Sequence, residues 1–249
     1  MRRLVLMPLF LVIVLAIVIP NAYAMSMKTF VFVDRFPDEA ESLGFATGTV
    51  LQVGAYIKPG DSPITEVTAR NLDTGLVLTP TSTKIGTISP GLYLAYSPFD
   101  PSKHMGAWKI RAKDEKGNEL VSVLHKLNKE GEMPYVGNIK ASGTQLAPTI
   151  TWTAPRGEDI PAGCKIGYRV RLLKAADSQF YRAKEVIYDT KHKIPEGVLT
   201  SKDIPDTFVR IECQCLDKDL LDMPGCFPIA LRSETFLPLK EALGLGPIK

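Results

Sequence analysis

Four cysteines are the residues of this sequence with the clearest capacity for chemistry. They are even in number and confined to the second half of the chain, at Cys164, Cys213, Cys215 and Cys226. In an exported protein such a set usually forms disulfides, and four cysteines allow three connectivities. A zinc site has less support, because zinc ribbons need two closely spaced pairs and this chain has one Cys-x-Cys. A redox pair is also disfavoured, since no Cys-x-x-Cys opens a helix.

The histidines and the acidic runs provide no catalytic or metal-binding pattern. His104, His125 and His192 are far apart in sequence, and we expect them to face solvent or to make single hydrogen bonds. No Gly-x-Ser-x-Gly marks a nucleophile, although a Ser–His–carboxylate triad from distant residues stays open. Acidic residues at 38–41 and 114–115 lack the alternating oxygens and bend glycine of a calcium loop. We therefore predict no catalytic residue, no metal site and no cofactor.

A row of cations is a candidate binding surface. Arg169, Arg171, Arg182 and Lys184 fall at outward positions of two predicted strands, so they would line one face of a sheet. The plainer interpretation is an ordinary solvated face. As a functional patch, the row would bind an anionic glycan, a lipid headgroup or an acidic partner. No aromatic residues interleave with these cations as they do on nucleic-acid platforms.

Residues 1–24 are predicted to be a signal peptide. Arg2 and Arg3 precede an uncharged apolar run at 4–19, and Ala22-Tyr23-Ala24 supplies a small-x-small cleavage site. An uncleaved membrane anchor is the alternative, but the run is shorter than the roughly 20 residues that span a bilayer. Without the two arginines the net charge falls from +3 to +1, which leaves no basic footprint for nucleic acid. The body of the protein is expected in the periplasm or outside the cell.

Residues 27–127 show the alternation of an all-β domain. Leu51, Val53, Ala55 and Ile57 share one face of a predicted strand, and Trp108, Ile110 and Ala112 share one face of a later strand. The run Gly-x-Trp-x-Ile-x-Ala-x-Asp-x-x-Gly-Asn, which begins at Gly106, resembles the last hairpin of many bacterial immunoglobulin-like modules. This resemblance implies an immunoglobulin-like β-sandwich, and the turn-rich residues 128–134 are predicted to form a linker after it.

Residues 135–238 are predicted to form a second sandwich around the strand that carries Trp152. The run Thr-Ile-Thr-Trp-Thr-Ala-Pro, the strand with Tyr168-Arg169-Val170, and Ile204-Pro205-Asp206-Thr207 together resemble a fibronectin type III domain. Family members usually place a Tyr two residues after that Thr; this chain has Val209, so its corner needs another support. The tail, residues 239–249, is expected to be a frayed terminus or a docking peptide.

The fibronectin resemblance also implies that the four cysteines gather at one end of the second sandwich. Our preferred pairing is Cys215–Cys226 with Cys164–Cys213, and Cys213–Cys226 with Cys164–Cys215 is nearly as good. The third connectivity needs a Cys213–Cys215 bond, which strand geometry opposes because alternate residues lie about 6.6 Å apart.

The sequence thus predicts an exported bacterial protein of two consecutive antiparallel β-sandwiches. We expect a non-catalytic interaction or structural protein of the cell envelope, which binds an unknown protein or glycan through sandwich loops or a sheet edge. One alternative is a periplasmic fimbrial-type chaperone, although no Arg–Lys pair can be assigned to its cleft. Another is an accessory module of a polysaccharide-acting enzyme. Contact with a membrane is expected only if residues 1–24 are not cleaved.

Overall fold

The computed structural model describes residues 25–58, 60, 62–83, 91–217, 221 and 225–245, so the predicted signal peptide lies outside the described residues. Strands of the first half are β1 (Ser26–Phe36), β2 (Gly48–Lys58), β3 (Ile64–Asn71), β4 (Val77–Leu78), β5 (Thr81–Ser82), β6 (Leu92–Pro98), β7 (Gly106–Asp114), β8 (Glu119–Val121) and β9 (His125–Leu127). Strands of the second half are β10 (Gly137–Thr144), β11 (Ala147–Thr153), β12 (Lys165–Leu173), β13 (Gln179–Arg182), β14 (Lys191–Lys193), β15 (Phe208–Leu216) and β16 (Ile229–Pro238). Short helices are α1 (Pro101–His104) and α2 (Leu239–Ala242).

The described strands form three sheets. A five-stranded sheet from the first half has the order β4-β3-β7-β8, with β9 also paired to β7, and a three-stranded sheet from the second half has the order β10-β11-β14. The third sheet has eight strands in the order β13-β12-β15-β16-β1-β2-β6-β5. Almost all neighbours are antiparallel, and the all-β sandwich class predicted from the sequence is confirmed.

The eight-stranded sheet joins the two halves of the chain through β1 and β16. These strands run parallel, with Val33 opposite Leu231 and Asp34 opposite Arg232. On its other side β1 pairs with β2 along its whole length. Sequence alternation alone did not indicate this contact, because nothing local marks which edges of two sandwiches will meet. The domain limits at 27–127 and 135–238 stay a prediction.

One face of the eight-stranded sheet forms the main core with the two smaller sheets. Trp108 is 0% exposed and Trp152 is 5% exposed, and both belong to this core. Ile110 and Ala112 are buried beside Trp108 as their alternation predicts. Burial of a large side chain stabilises the fold by about 1.5–3 kcal/mol relative to leaving it exposed. The inward sets predicted for these strands are confirmed.

The predicted linker is fastened to both halves. Met133 is 1% exposed and part of the main core. Glu132 lies 3.1 Å from the guanidinium of Arg35 on β1. The hydroxyl of Ser233 on β16 donates a hydrogen bond of 2.7 Å to the carbonyl of Pro134. The segment therefore crosses the junction where β1 and β16 pair.

Thr207 holds the corner where a fibronectin domain usually has a Tyr. Its hydroxyl donates to the carbonyl of Asp203 at 2.7 Å, and its carbonyl accepts from the N–H of Leu239 at 2.8 Å. Val209 is fully buried in the main core, so it replaces the Tyr by packing. Leu239 is also fully buried; the tail therefore begins as a packed helical turn, while residues 246–249 lie outside the described residues.

Candidate binding face

The face of the eight-stranded sheet opposite the main core is charged, aromatic and largely buried; we call it the charged face. It is built from the outward positions of β1, β2, β12, β13, β15 and β16, because successive side chains of a strand point to opposite sides. Its polar members are Asp34, Gln52, Arg169, Arg171, Arg182, Arg210, Glu212, Gln214, Arg232 and Glu234. Side chains on both faces of this sheet are therefore largely buried.

Arg232 connects the two halves on this face. Its Nε and Nη2 atoms donate to the two carboxylate oxygens of Asp34, at 3.1 and 2.6 Å. Gln52 Nε2 donates to Asp34 Oδ2 at 2.5 Å. The guanidinium of Arg232 also lies 4.5 Å from the centre of the Phe32 ring, which is within the range of a cation–π contact. Bidentate geometry of this kind is the strong form of an ion pair.

Arg210 makes the second bidentate pair. Its Nε and Nη2 atoms donate to Glu234 at 2.7 and 2.6 Å. The same guanidinium lies 4.8 Å from the Phe45 ring and 5.7 Å from the Phe236 ring. Arg232 Nε also approaches Glu234 Oε1, at 2.8 Å. Glu234 is therefore shared between two arginines on adjacent strands.

Glu212 stands at the centre of the charged face and is fully buried. Its Oε1 atom lies 2.5 Å from Arg171 Nη2, 3.4 Å from Arg210 Nη2 and 3.6 Å from Arg232 Nη1. Gln214 Nε2 donates to its Oε2 atom at 2.7 Å. Burial alone would raise the pKa of this carboxyl, but the surrounding guanidiniums hold it well below its usual value. Glu212 is thus ionised and acts as a shared counter-ion.

A hollow opens on the charged face between the two halves. Aromatic rings contribute Phe30, Phe32, Phe45, Tyr56, Tyr96 and Phe227 to its lining. Guanidiniums contribute Arg171, Arg182, Arg210 and Arg232. Tyr96 at the rim is 46% exposed, whereas Phe30 and Phe32 deeper in are 5% and 4% exposed. The hollow therefore combines an apolar wall with a cationic wall.

The predicted cation row falls partly on this hollow. Arg171 is only 6% exposed, which corrects the expectation that it faces solvent; Glu212 and Gln179 hold its guanidinium inside. Arg169 and Arg182 are half-buried, and Lys184 is exposed. Arg171 and Arg182 lie directly opposite each other on β12 and β13. Whether the row binds anything stays a prediction.

The cysteines form a disulfide other than those we preferred. Cys164 is bonded to Cys215, with their Cα atoms 4.9 Å apart, which belongs to the alternative connectivity. The register explains this, because Ile166 lies opposite Cys215 while Tyr168 lies opposite Cys213. Cys164 is therefore four positions from the partner of Cys213, about 13 Å along the strand and beyond disulfide reach. With two of the four sulfurs bonded to each other, a four-thiolate zinc site is excluded.

Cys213 is a fully buried thiol in the main core. Burial raises its pKa to about 12. A thiol with so high a pKa is a poor nucleophile and a poor metal ligand, because the thiolate is the reactive form. Cys226 is 3% exposed, and its backbone forms an isolated parallel β-bridge with Thr29 of β1.

The histidines are more buried than we expected. His125 is 1% exposed; its Nε2 atom lies 2.7 Å from the hydroxyl of Thr29, and burial lowers its pKa to about 4. Nε2 of His192 lies 2.6 Å from the Tyr181 hydroxyl. These are single structural hydrogen bonds, as expected for two of the three histidines.

His104 tests the triad that the sequence left open. Its Nε2 atom lies 3.4 Å from the hydroxyl of Ser97. Its Nδ1 atom accepts from the backbone N–H of Asp100 at 2.9 Å, so the position of the orienting carboxylate in a triad is taken by a peptide group. The Asp100 carboxylate accepts instead from Ser102 and pairs with Lys103. This group therefore holds the loop before β7.

Sequence reasoning missed most of the charged face, including Asp34, Arg210, Glu212, Arg232 and Glu234. We treated outward positions as solvated and recorded only the cations of β12 and β13. One signal was present: Phe30 and Phe32 occupy the outward positions of β1, and a strand that is apolar on both sides indicates a sheet covered on both faces. Alternation of Arg with Glu at 210 and 212, and again at 232 and 234, was a second signal.

No three His, Cys, Asp or Glu side chains among the described residues are grouped closely enough to share a metal ion. No helix within the described ranges is long and apolar enough to cross a membrane.

No family model and no curated protein sequence matches the chain. Among solved structures, it is similar to domains A168–A170 of titin, with 14% identity and a TM-score of 0.28 over 86% of this chain and 66% of that one. It is also similar to the FN1–FN3 domains of chicken CNTN1, with 16% identity and a TM-score of 0.25 over 74% and 61%. Murine CEACAM1b matches at 12% identity and a TM-score of 0.23 over 87% and 98%.

The chain spans slightly less than two thirds of the titin and CNTN1 structures. At these identities and scores the likeness carries no conclusion about activity or partner. Function in an all-β sandwich depends on the site rather than on the fold.

Proposed function

We propose that this chain is an exported, non-catalytic interaction protein of a bacterial cell envelope. The signal-peptide pattern of residues 1–24 supports export, and the Cys164–Cys215 disulfide is typical of an oxidising compartment. Its carboxylates on the charged face support a structural role rather than acid–base work. Asp34, Glu212 and Glu234 are all fully buried and paired with arginine. Burial raises the pKa of Glu234 to about 7, but Arg210 donates to both of its oxygens and the side chain has no exposed surface.

The hollow on the charged face is the observation that carries this proposal. A concave site lined by apolar rings with a few convergent polar groups is the usual form of a binding site. Arginine and aromatic residues are also the types enriched at the energetic centres of interfaces. The binding site we propose is therefore this face, in place of the loops or sheet edge that we expected from the sequence.

The two alternatives have less support. A fimbrial-type chaperone grips its client in a cleft between two sandwiches, whereas here β1 and β16 pair directly across the junction. An accessory module for polysaccharide hydrolysis would need two carboxylates facing each other in a groove. The carboxylates of the charged face are engaged by guanidiniums instead.

Site-specific photo-crosslinking tests the proposal. A photoreactive amino acid replaces Tyr96 at the rim of the hollow, which is 46% exposed, or Val121 on β8, which is 47% exposed and belongs to another sheet. After illumination with the envelope fraction of the source cells, we expect one defined adduct from position 96 and none from position 121. The adduct should also disappear when Arg182→Glu is added. Equal adducts from both positions, or an adduct from position 121 alone, would overturn the assignment of the charged face.

A further inference from the structure

Three arginines at the β12–β13 end of the charged face lie together. Arg171 and Arg182 are cross-strand partners, and Arg169 lies two residues along β12 on the same face. Like charges placed directly opposite on neighbouring strands repel each other. The neighbouring guanidiniums, after burial itself, lower the pKa of Arg171, against the pull of Glu212. This end of the face therefore holds positive charge at close range.

The carboxylates of the charged face do not neutralise this cluster. Asp34 and Glu234 pair with Arg232 and Arg210, at the other side of the network. Glu212 serves Arg171 but is shared with Arg210 and Arg232. Within the described part of the chain, Arg169 and Arg182 have no carboxylate within 4.0 Å. Five guanidiniums thus face three carboxylates, and two positive charges are in excess.

Each of the three arginines also carries an unused hydrogen-bond donor. The Nε atoms of Arg169, Arg171 and Arg182 are buried and have no acceptor among the described residues. Arg171 is the most enclosed of the three, since only 6% of it is exposed. Buried donors in native proteins are nearly always satisfied, so an orphaned set of donors calls for an explanation. Two of these three arginines, Arg171 and Arg182, line the hollow, so an anion bound there would lie beside their guanidinium groups.

The space beside the cluster sets the size and character of that anion. The cavity volume of the hollow is about 60 Å³, several times the roughly 10–15 Å³ that one water molecule needs. It is therefore large enough for one small oxyanion. The lining also includes the rings of Phe30, Tyr56 and Phe227, which would exclude water from an apolar group attached to that oxyanion.

We propose that the hollow binds one oxyanion group carried on an apolar body, with Arg171 and Arg182 contacting the oxygens and the aromatic wall contacting the body. The inference deepens the proposed function and rests on it for the location of the site. Arginine suits this role because its planar fork of donors matches carboxylate and phosphate oxygens in pairs. A membrane lipid and a soluble amphiphile share this chemistry.

Isothermal titration of the purified mature protein with three probes tests the proposal. Hexyl phosphate carries head and body, inorganic phosphate carries the head alone, and hexanol carries the body alone. We expect hexyl phosphate to bind at least about tenfold more tightly than either fragment, because the two walls act together. Binding of hexyl phosphate no tighter than inorganic phosphate would overturn the proposal.

Two matched variants locate the binding. Arg182→Gln removes a guanidinium that lines the hollow, and Lys184→Gln removes an exposed charge two residues along that does not line it. We expect Arg182→Gln to weaken hexyl phosphate binding about tenfold or more and Lys184→Gln to change it less than about twofold, since an exposed cation outside the hollow makes no direct contact. Equal effects would mean diffuse charge attraction and would reject the site. Thermal unfolding of both variants should match the wild type, which excludes misfolding as the cause.

Vesicles separate the two sources of the ligand. If the oxyanion is a lipid headgroup, the protein should sediment with phosphatidylglycerol vesicles and not with phosphatidylcholine vesicles, which are the control. Loss of this co-sedimentation in Arg182→Gln supports the lipid source. Binding of hexyl phosphate without co-sedimentation with either kind of vesicle supports a soluble amphiphile as the source. Crosslinking at position 96 without hexyl phosphate binding would reject this inference and leave the proposed function standing. Hexyl phosphate binding without crosslinking at position 96 would reject the macromolecular partner alone.

Discussion

Each buried carboxylate of the charged face has at least one arginine within 2.6 Å, and this pairing is what permits so much charge inside the protein. Moving an unpaired ion from water into a protein interior costs several kcal/mol. Arg232, Arg171 and Arg210 contact Asp34, Glu212 and Glu234 directly and so offset part of that cost, although burial still raises the pKa of Glu234 to about 7. The residues of each ion pair therefore depend on each other, because replacing one of them leaves the other charge buried without its counter-ion. Positions on the main-core side of the same strands need only be apolar.

The first prediction concerns His125, whose pKa falls from 6.5 to about 4 on burial. An unfolded chain protonates this histidine below pH 6.5, but the folded chain does not until near pH 4. Its contribution to stability is therefore complete above pH 6.5 and is lost as the pH falls towards 4, by about 3 kcal/mol in all. Urea unfolding at pH 7, 6, 5 and 4 should show a steeper loss for the wild type than for His125→Gln. Parallel profiles for the two proteins would contradict the assignment.

At the residue scale, the sequence predicted the apolar half of the structure better than the polar half. Trp108, Ile110 and Ala112 were placed on one buried face correctly, because an apolar residue at every second position has few alternatives. Glu212 and Arg232 were not anticipated, since a charged residue at an outward position is usually solvated. What encloses them is a set of side chains from other strands, and the partner of Asp34 is 198 residues away.

Among the elements, β1 has the largest influence on the architecture. It is central in the eight-stranded sheet, antiparallel to β2 and parallel to β16. Pairing β1 with β16 places Asp34 directly opposite Arg232, so the backbone register and the ion pair support each other. Sequence patterning identified both strands but not their contact. The alternation of a strand predicts which of its faces is buried, but it does not predict which strand will pair along its edge.

A double-mutant cycle on this pair is the second prediction. Arg232→Met leaves Asp34 without its bidentate partner, and we expect a loss of about 3–5 kcal/mol in unfolding free energy. The double variant Asp34→Leu with Arg232→Met should lose less than the sum of the single variants, because neither charge is then stranded. Arg111→Met with Glu119→Leu is the control, since that pair is 3.3 Å apart but exposed, and its coupling should stay below about 1 kcal/mol. Equal coupling in both pairs would count against a buried network.

The third prediction concerns the link between β12 and β15. Cys164 and Cys215 are 51 residues apart in sequence, and closing a loop of that length stabilises the fold by about 4 kcal/mol in the chain-entropy model. We expect the Cys164→Ala, Cys215→Ala double variant to be about 2–4 kcal/mol less stable in urea. Reductant should lower the stability of the wild type by a similar amount and leave the variant unchanged. A variant that still responds to reductant would show a further bridge in the chain.

At the scale of the whole molecule, the shared sheet makes the two halves interdependent. Two separate sandwiches would expose little new surface if one of them opened alone. Here, opening the first half would strip β1 from β16 and uncover Asp34, Arg232 and the main core around Met133. The sequence predicted the all-β sandwich class correctly, but it did not predict the eight-stranded sheet that joins the two halves of the chain.

The fourth prediction is that the protein unfolds in one step. Each half contains one tryptophan, Trp108 or Trp152, so Trp152→Phe reports on the first half and Trp108→Phe on the second. In each variant, fluorescence and far-ultraviolet circular dichroism should give the same urea midpoint, as a cooperative transition requires. Fluorescence of Trp108 that changes well before the dichroism would instead show that the first half opens independently.

Pairing of β1 with β16 also fixes an order of events when the chain is made. Strand β1 is made well before β16, because the partner of Asp34 follows 198 residues later. At about 5–20 residues per second, β1 waits roughly 10–40 seconds for β16. During that interval a strand with hydrophobic and aromatic side chains on both faces has an open edge, which is a template for pairing with a second nascent chain. The length of time for which this edge stays open is therefore set by the topology of the sheet, before the protein reaches any partner.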